Sequence, residues 1–218
     1  MENLNSERGA SIYTPLILKV YDWYVLGFSN SYVWRCSTRK IQLPFFKKHL
    51  GRRHLDVGVG TGFYLANATF NPSAEISLID LNKNSLSAAA NHIADLKPAC
   101  IQQDVFKPLA LPATTVFDSI STFYLLHCLP GTFVDKRDVI KNLKKHLAPN
   151  GVFYGTTILG DTANHNMLGR ILMKVYNKKG IFSNKQDSIQ LLREMLESQF
   201  QNVEIRQNGQ VALFVARD

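Results

Sequence analysis

Short apolar runs alternate with longer amphipathic ones along this chain. Residues 54–59, HLDVGV, read as a strand running into glycines, and 62–70 as a helix stopped by Asn71-Pro72. Residues 75–80 predict a second strand, followed by the helical SLSAAANHIADL, whose alanines and leucines favour helix. A third strand is expected at 99–103 and a fourth at 117–121. Residues 135–147 have helical periodicity and close at the Pro149-Asn150-Gly151 turn; 152–159, rich in aromatic and β-branched residues, make a fifth strand. Residues 187–200 predict a last helix, and 203–206 and 211–216 two strands joined through Asn208-Gly209. A connection that short holds no crossover helix, so these two pair antiparallel. The pattern therefore predicts an α/β fold: a doubly wound mixed sheet of seven strands ending in an antiparallel hairpin.

Two segments fall outside this rhythm. In residues 1–50, Thr14-Pro15 looks like a helix cap with proline in the first turn, and Leu16, Val20, Trp23, Tyr24 and Gly27 follow at helical spacing. Residues 160–186 form an insertion between the fifth strand and the last helix. Ligands of open sheets bind at the carboxyl ends of the strands, where the loop after the fifth strand emerges. Both segments are candidate lids. The expected organisation is a helical cap over residues 1–50 and a main domain over 51–218 that carries the insertion at its active edge. Met167, Leu168, Ile171, Leu172, Met173 and Tyr176 suggest a short helix in the insertion, suited to core packing, a substrate wall or dimerisation.

Composition narrows the class. Of 218 residues, 45% are hydrophobic and 19% charged, which excludes a disordered chain. Cys36, Cys100 and Cys128 form neither a disulfide framework nor a CxxC pair. The polar N-terminus lacks a signal peptide's pattern, and the apolar stretch 16–28 is short and broken by Lys19 and Asp22, so a soluble cytoplasmic protein is expected. The net charge is +8. Arg35, Arg39, Lys40, Lys47, Lys48, Arg52 and Arg53 lie in a stretch without acids, and Arg170, Lys174, Lys178, Lys179 and Lys185 form a second group. Solvated faces, steering of an anionic ligand and nucleic-acid binding all fit these groups.

The most specific signal is LDVGVGTGFYL, residues 55–65. Gly58, Gly60 and Gly62 allow positive φ and close approach of a ligand to backbone. Phe63 stands where a dinucleotide fingerprint has its last glycine, and no P-loop is present. Asp56 precedes the loop, where a carboxylate suits an ammonium or sulfonium better than a pyrophosphate. Asp80 ends the second strand in SLIDLN and can accept both hydroxyls of a ribose. Asp104 ends the third in IQQDVF and can accept from an adenine amino group, with Leu81 and Val105 as apolar walls. Each acid alone could merely cap a turn; three at successive strand ends describe a nucleoside pocket.

With FDSISTFYLLHCLPG and NLKKHLAPNGVFYGTTILG, these motifs resemble the class I S-adenosylmethionine-dependent methyltransferases over about residues 50–160 and the closing hairpin. YDWYVLGFSNSYVWRC ahead of the loop resembles the small-molecule branch. The resemblance implies a Rossmann-like fold, S-adenosylmethionine as donor and S-adenosylhomocysteine as product. It puts the methionine part on the glycine loop, the ribose on Asp80 and the adenine at Asp104, with Ser121 and Thr122 completing the donor site.

The expected reaction is direct in-line transfer to an O or N atom of a small hydrophobic or aromatic acceptor, by a monomer or homodimer, with no metal. His127 in FYLLHCLPG is the candidate base; packing the loop and shaping the substrate are its other readings. Tyr21 or Tyr24 could close over donor and acceptor, or the aromatics Tyr21, Trp23, Tyr24, Phe28 and Trp34 could simply cover the sheet edge. Cys128 is a poor match for a cytosine-methylating nucleophile, and STFY replaces the [DN]PP[YFW] of amino-methylating nucleic-acid enzymes. An RNA or protein methyltransferase is the first alternative. An NAD(P)-linked oxidoreductase is disfavoured by Phe63, and a scaffold that binds the donor without turnover is the last.

Overall fold

The computed structural model describes residues 29–160 and 164–218. Seven strands form one sheet: β1 (Arg53–Val57), β2 (Glu75–Asp80), β3 (Ala99–Gln102), β4 (Phe117–Phe123), β5 (Leu147–Ile158), β6 (Asn202–Asn208) and β7 (Val211–Arg217). Their order is β3-β2-β1-β4-β5-β7-β6. The first five run parallel, and β7 is antiparallel to both of its neighbours. The mixed sheet and closing hairpin are as expected from the sequence.

Central strands are buried on both faces, while the edge strands β3 and β6 are largely exposed. One face carries Leu55, Val57, Ile120, Phe153 and Phe214. It packs against α4 (Phe133–Lys144) and α6 (Ile189–Glu197). The other carries Leu78, Phe123, Tyr154 and Val215. It is covered by α1 (Leu43–His49), α2 (Phe63–Ala66), α3 (Lys83–His92) and α5 (Met167–Lys178).

Several boundaries moved for identifiable reasons. Helix α2 has four residues instead of nine, because the Asn67 side-chain amide donates to the Phe63 carbonyl at 2.8 Å and ends it. Helix α3 begins at Lys83, capped by Asn82, which accepts from the Asn84 amide at 2.8 Å. Helix α4 begins two residues before Asp135, which accepts the Thr132 amide at 2.7 Å in a capping box. The Pro149-Asn150-Gly151 turn lies inside β5: Phe117 pairs with Leu147 and Ser119 with Val152, so residues 148–151 bulge opposite Asp118, with Asn150 at φ +62°.

The aromatic helix expected over residues 14–28, with Tyr21, Trp23, Tyr24 and Phe28, lies outside the described residues. Trp34 is buried and meets His165 edge-on at 5.9 Å and Phe182 at 6.1 Å, so it covers the edge beside the insertion. Its carbonyl accepts the Gln210 amide at 2.9 Å. A Cβ on Gly209 would come within 2.3 Å of that oxygen, so glycine lets the hairpin turn close on residue 34.

The insertion is tied down by a buried ion pair. Lys136 of α4 reaches Asp187 at 3.0 Å and donates to the Ser183 carbonyl at 2.9 Å, and both side chains are almost fully buried. Burial lowers the Lys136 pKa and pushes Asp187 up to about 6, so removal from water works against both charges. Ser183 donates its amide to the His127 carbonyl at 2.8 Å, and Gly160 donates to Asp187 at 2.7 Å, which ties the pair to both ends of the active edge. Lys136→Met should cost about 3–5 kcal/mol of unfolding free energy in urea titration, because it strands a buried carboxylate. Lys136→Met with Asp187→Leu should recover most of that loss.

Candidate active site

The three loop glycines all have positive φ, +73° at Gly58, +54° at Gly60 and +76° at Gly62, but for different reasons. A Cβ on Gly58 would sit 2.8 Å from Leu125, and one on Gly62 2.6 Å from the Ala89 backbone of α3. Those two are close-packing positions. A Cβ on Gly60 would meet nothing within 4 Å, so its backbone borders open space.

Asp80 accepts the Asn82 amide at 2.8 Å and also bonds backbone amides of Val59, Gly60 and Leu81. It thereby holds the glycine loop against the end of β2, although burial pushes its pKa up to about 6. Beside it on β3, Gln102 pairs with Asp80, and the Gln103 amide donates to the Asp80 carbonyl at 3.2 Å. Asp104 follows, half-buried, with its carboxylate accepting the Phe106 amide at 3.0 Å. Val105 is buried and Leu81 half-buried. The pairing thus brings Asp80, Leu81, Asp104 and Val105 to one edge.

Asp56 lies in a polar row beneath an apolar cover. His54 pairs with Ser119 and Asp56 with Ser121 across β1 and β4, all four on the face that carries Tyr154. Ser121 donates to Asp56 at 2.5 Å. Burial pushes the Asp56 pKa up to about 7, and the nearby Asp80 charge adds to the rise against the Ser121 bond. Ser121 and Thr122 are themselves fully buried. Ser121 therefore reaches the edge through Asp56, and Thr122 packs against Gly155, where a Cβ would come within 2.6 Å of its hydroxyl.

The chain leaves β4 through Tyr124, whose φ of +57° is strained for an aromatic residue. Its hydroxyl accepts from the Gln42 side-chain amide at 2.7 Å. Gln42, fully buried, also donates to the Cys36 carbonyl at 2.9 Å and accepts from Tyr64 at 2.8 Å. One amide therefore joins the π-helical turn Thr38–Gln42, helix α2 and the loop after β4.

His127 is buried, with Phe182 edge-on at 4.5 Å. Its Nδ1 accepts the Ile158 amide at 3.2 Å, with the Thr157 hydroxyl at 3.5 Å. A backbone N–H can only donate, so the ring proton is on Nε2 and the lone pair is occupied. Burial, with the Lys136 charge, lowers its pKa to about 3. This geometry fits loop packing and substrate shaping and gives no free lone pair for proton abstraction. Cys128 is pushed up to about 12 by burial, which keeps it a thiol.

Among the described residues, no group of three or more His, Cys, Asp or Glu could hold a metal ion. No helix among the described residues is long and apolar enough to cross a membrane. Of the basic stretch, Arg52 pairs with Glu75 at 2.8 Å and Arg53 with Asp118 at 2.7 Å.

A family model described as "Methyltransferase domain" matches residues 55–153. The physcion biosynthesis cluster O-methyltransferase of Aspergillus chevalieri is 38% identical over 211 residues, 97% of this chain and 95% of the relative. This chain belongs to the class I S-adenosylmethionine-dependent methyltransferases. The uncharacterized YbcY of Escherichia coli (strain K12) is 47% identical over 192 residues, 88% of this methyltransferase and 98% of YbcY. The solved structure of the DhpI–SAH complex, 14% identical, shares the fold with a TM-score of 0.68, covering 100% of this chain and 98% of that one.

Sequence reasoning missed Gln42, Tyr124 and His54 in this methyltransferase. Gln42 and Tyr124 carry no local signal, since their bond spans 82 residues. His54 and Ser119 did have one, the alternation of polar and apolar residues in HLDV and DSIS, but the register that joins them is not written locally.

The glycines separate stability from binding. Gly62→Ala should destabilise the methyltransferase by about 2–4 kcal/mol, from left-handed strain plus the Ala89 clash. Gly60→Ala should cost only about 1–2 kcal/mol of stability, the strain alone, yet weaken ligand binding at the edge; thermal melts and titrations on both variants check this. His127 gives a pH test. Its folded pKa lies below the unfolded value, so its stabilising neutral form is fully retained above pH 6.5 and costs stability as pH falls toward 3. Between pH 6.5 and 5, His127→Gln should therefore lose about 2 kcal/mol less than the native chain in urea titrations.

Proposed function

We propose that this methyltransferase moves a methyl group from S-adenosylmethionine to a hydroxyl oxygen of a small aromatic or hydrophobic acceptor. The observation that carries the donor reading is the open space in front of Gly60, between crowded Gly58 and Gly62 and beside the Asp80 carboxylate. Gly58, Gly60 and Gly62 would hold the methionine part, with Asp56 facing its positive end. Asp80 would take the ribose hydroxyls, Asp104 the adenine amino group, and Leu81 and Val105 the faces of the ring. Ser121 and Thr122 support that site from within the sheet.

Bound there, the donor would supply a methyl on a sulfonium, so that a C–O bond forms as the C–S bond breaks with its electrons to sulfur, the acceptor having given its proton to solvent before water is excluded. The chain's own part is to align the two and exclude water. On one side of the site residues 29–50 are tied through Gln42 to Tyr124, and on the other residues 164–186 meet the His127 loop through Phe182 and Ser183. His127, with its lone pair occupied, shapes the loop. An acceptor that needs no strong base fits this site, and a phenol, with a pKa of about 10, is more acidic than an aliphatic alcohol. The O-methyltransferase name of the Aspergillus chevalieri relative supports oxygen as the accepting atom. Three free cysteines fit the reducing cytoplasm.

Calorimetric titration should give S-adenosylhomocysteine a Kd of roughly 1–100 µM, no heat from NAD(H), and at least about tenfold weaker binding in Asp80→Ala. Mass spectrometry with a panel of phenols should then find singly methylated products. NAD(H) binding alone would refute the donor assignment, and salt-sensitive RNA binding with methylated RNA would refute the acceptor class.

A further inference from the structure

The polar row under Tyr154 has a direction. The Gly51 amide donates to the Ser119 hydroxyl oxygen at 2.7 Å, and Ser119 lies 2.7 Å from His54 Nδ1. His54 Nε2 lies 3.1 Å from the Ser121 oxygen, and Ser121 donates to Asp56 at 2.5 Å. A peptide N–H can only donate, and in the polarity that spends the Ser119 proton inside the row the bonds run Gly51 to Ser119, Ser119 to Nδ1, Nε2–H to Ser121, Ser121 to Asp56. With Asp56 ionised, every proton in the row has one acceptor. With Asp56 protonated and donating to Ser121, the row reverses. Ser121 then donates to Nε2, Nδ1–H donates to Ser119, and Ser119 receives two donors while its own proton is displaced.

The titratable groups facing Asp56 are Asp80 from β2 and Tyr154 from β5, with His54 behind Ser121. None is a cation: the Tyr154 pKa is raised by burial, and burial holds His54 down at about 3. The carboxylate is thus stabilised by a neutral relay and not by a countercharge, which leaves the countercharge to a ligand.

We propose that His54 is a positioning residue that, through Ser121, holds Asp56 as an oriented carboxylate for the positively charged end of the methyl donor. The proposal rests on the donor site assigned above. It gives His54 a role in ligand affinity without contact with the ligand. Its packing, edge-on to Phe46 at 5.5 Å and against Tyr154 at 6.2 Å, fixes the ring so that both nitrogens reach their serines.

The test is S-adenosylhomocysteine titration from about pH 5.5 to 8.5 on the native chain, His54→Phe, His54→Gln, Ser121→Ala and His54→Phe/Ser121→Ala. In the native chain, affinity should rise through pH about 7 as Asp56 ionises. His54→Phe keeps an aromatic ring in place and should weaken binding about tenfold at pH 7, moving the rise about one unit higher. His54→Gln, which keeps a donor toward Ser121, should return within about threefold of native affinity. In the Ser121→Ala background, His54→Phe should add less than about twofold, since the link is already cut.

Carbon-13 titration of the Asp56 carboxyl in ligand-free protein reads the same relay without the donor. Its midpoint should move up in His54→Phe and, if that variant does not fold, in Ser119→Ala. Native affinity and midpoint in His54→Phe, or losses that add fully with Ser121→Ala, would overturn the relay. A native chain that ignores S-adenosylhomocysteine would overturn the donor site, and the ligand role with it, while the carboxyl midpoint still reports separately whether the relay operates.

Discussion

Backbone hydrogen bonds between β1 and its parallel neighbours β2 and β4 decide which side chains share a row at the active edge. The register puts Leu78, Asp56, Ser121 and Tyr154 side by side on one face, with His54 and Ser119 in the next row but one. A slip of one residue would turn Leu55 and Val57 toward the helices that cover Asp56 and bury the polar set in the opposite core. The glycine loop, Asp80 and the loop after β4 all begin where these strands end, so each inherits its position from that pairing.

The same sheet face carries an unusual load of polar groups in an apolar layer. Burying them unpartnered would cost roughly 1–3 kcal/mol each. The protein offsets this by satisfying them in chains: serines between His54 and Asp56, backbone amides on Asp80, and the Gln42 amide among Tyr124, Tyr64 and Cys36. On the other face, Lys136 and Asp187 follow the same logic with full charges. Rigid placement results, because moving any member strands the next.

Much of this was legible in the sequence, where local chemistry decides structure. The strands were visible as short runs rich in apolar and β-branched residues that end in glycines, acids or turns, and the hairpin because two strands flank a Gly. The glycine loop and the strand-end acids were legible because backbone geometry and strand polarity demand those residues there. The ends of α2 and the bulge in β5 were not, since a side-chain amide and a register shift settle them. His127 stood out as a histidine in the right loop, but only the fold shows that Ile158 occupies its lone pair. Gln42 looked like any polar residue ahead of a proline helix, and its importance comes entirely from partners far along the chain.

The turn at Gly209 has a consequence for how the molecule is made. Strand β7 is the last of the seven strands to be made, yet it sits inside the sheet between β5 and β6, and residue 34 rests on its turn. The early segment around Trp34 therefore lacks this part of its seat until the turn at Gly209 has been made. Until then β5 presents a bare edge, the condition under which nascent chains pair wrongly or recruit chaperones. A ribosome stalled before residue 209 would hold a chain with its glycine loop built and the Trp34 carbonyl without its Gln210 donor.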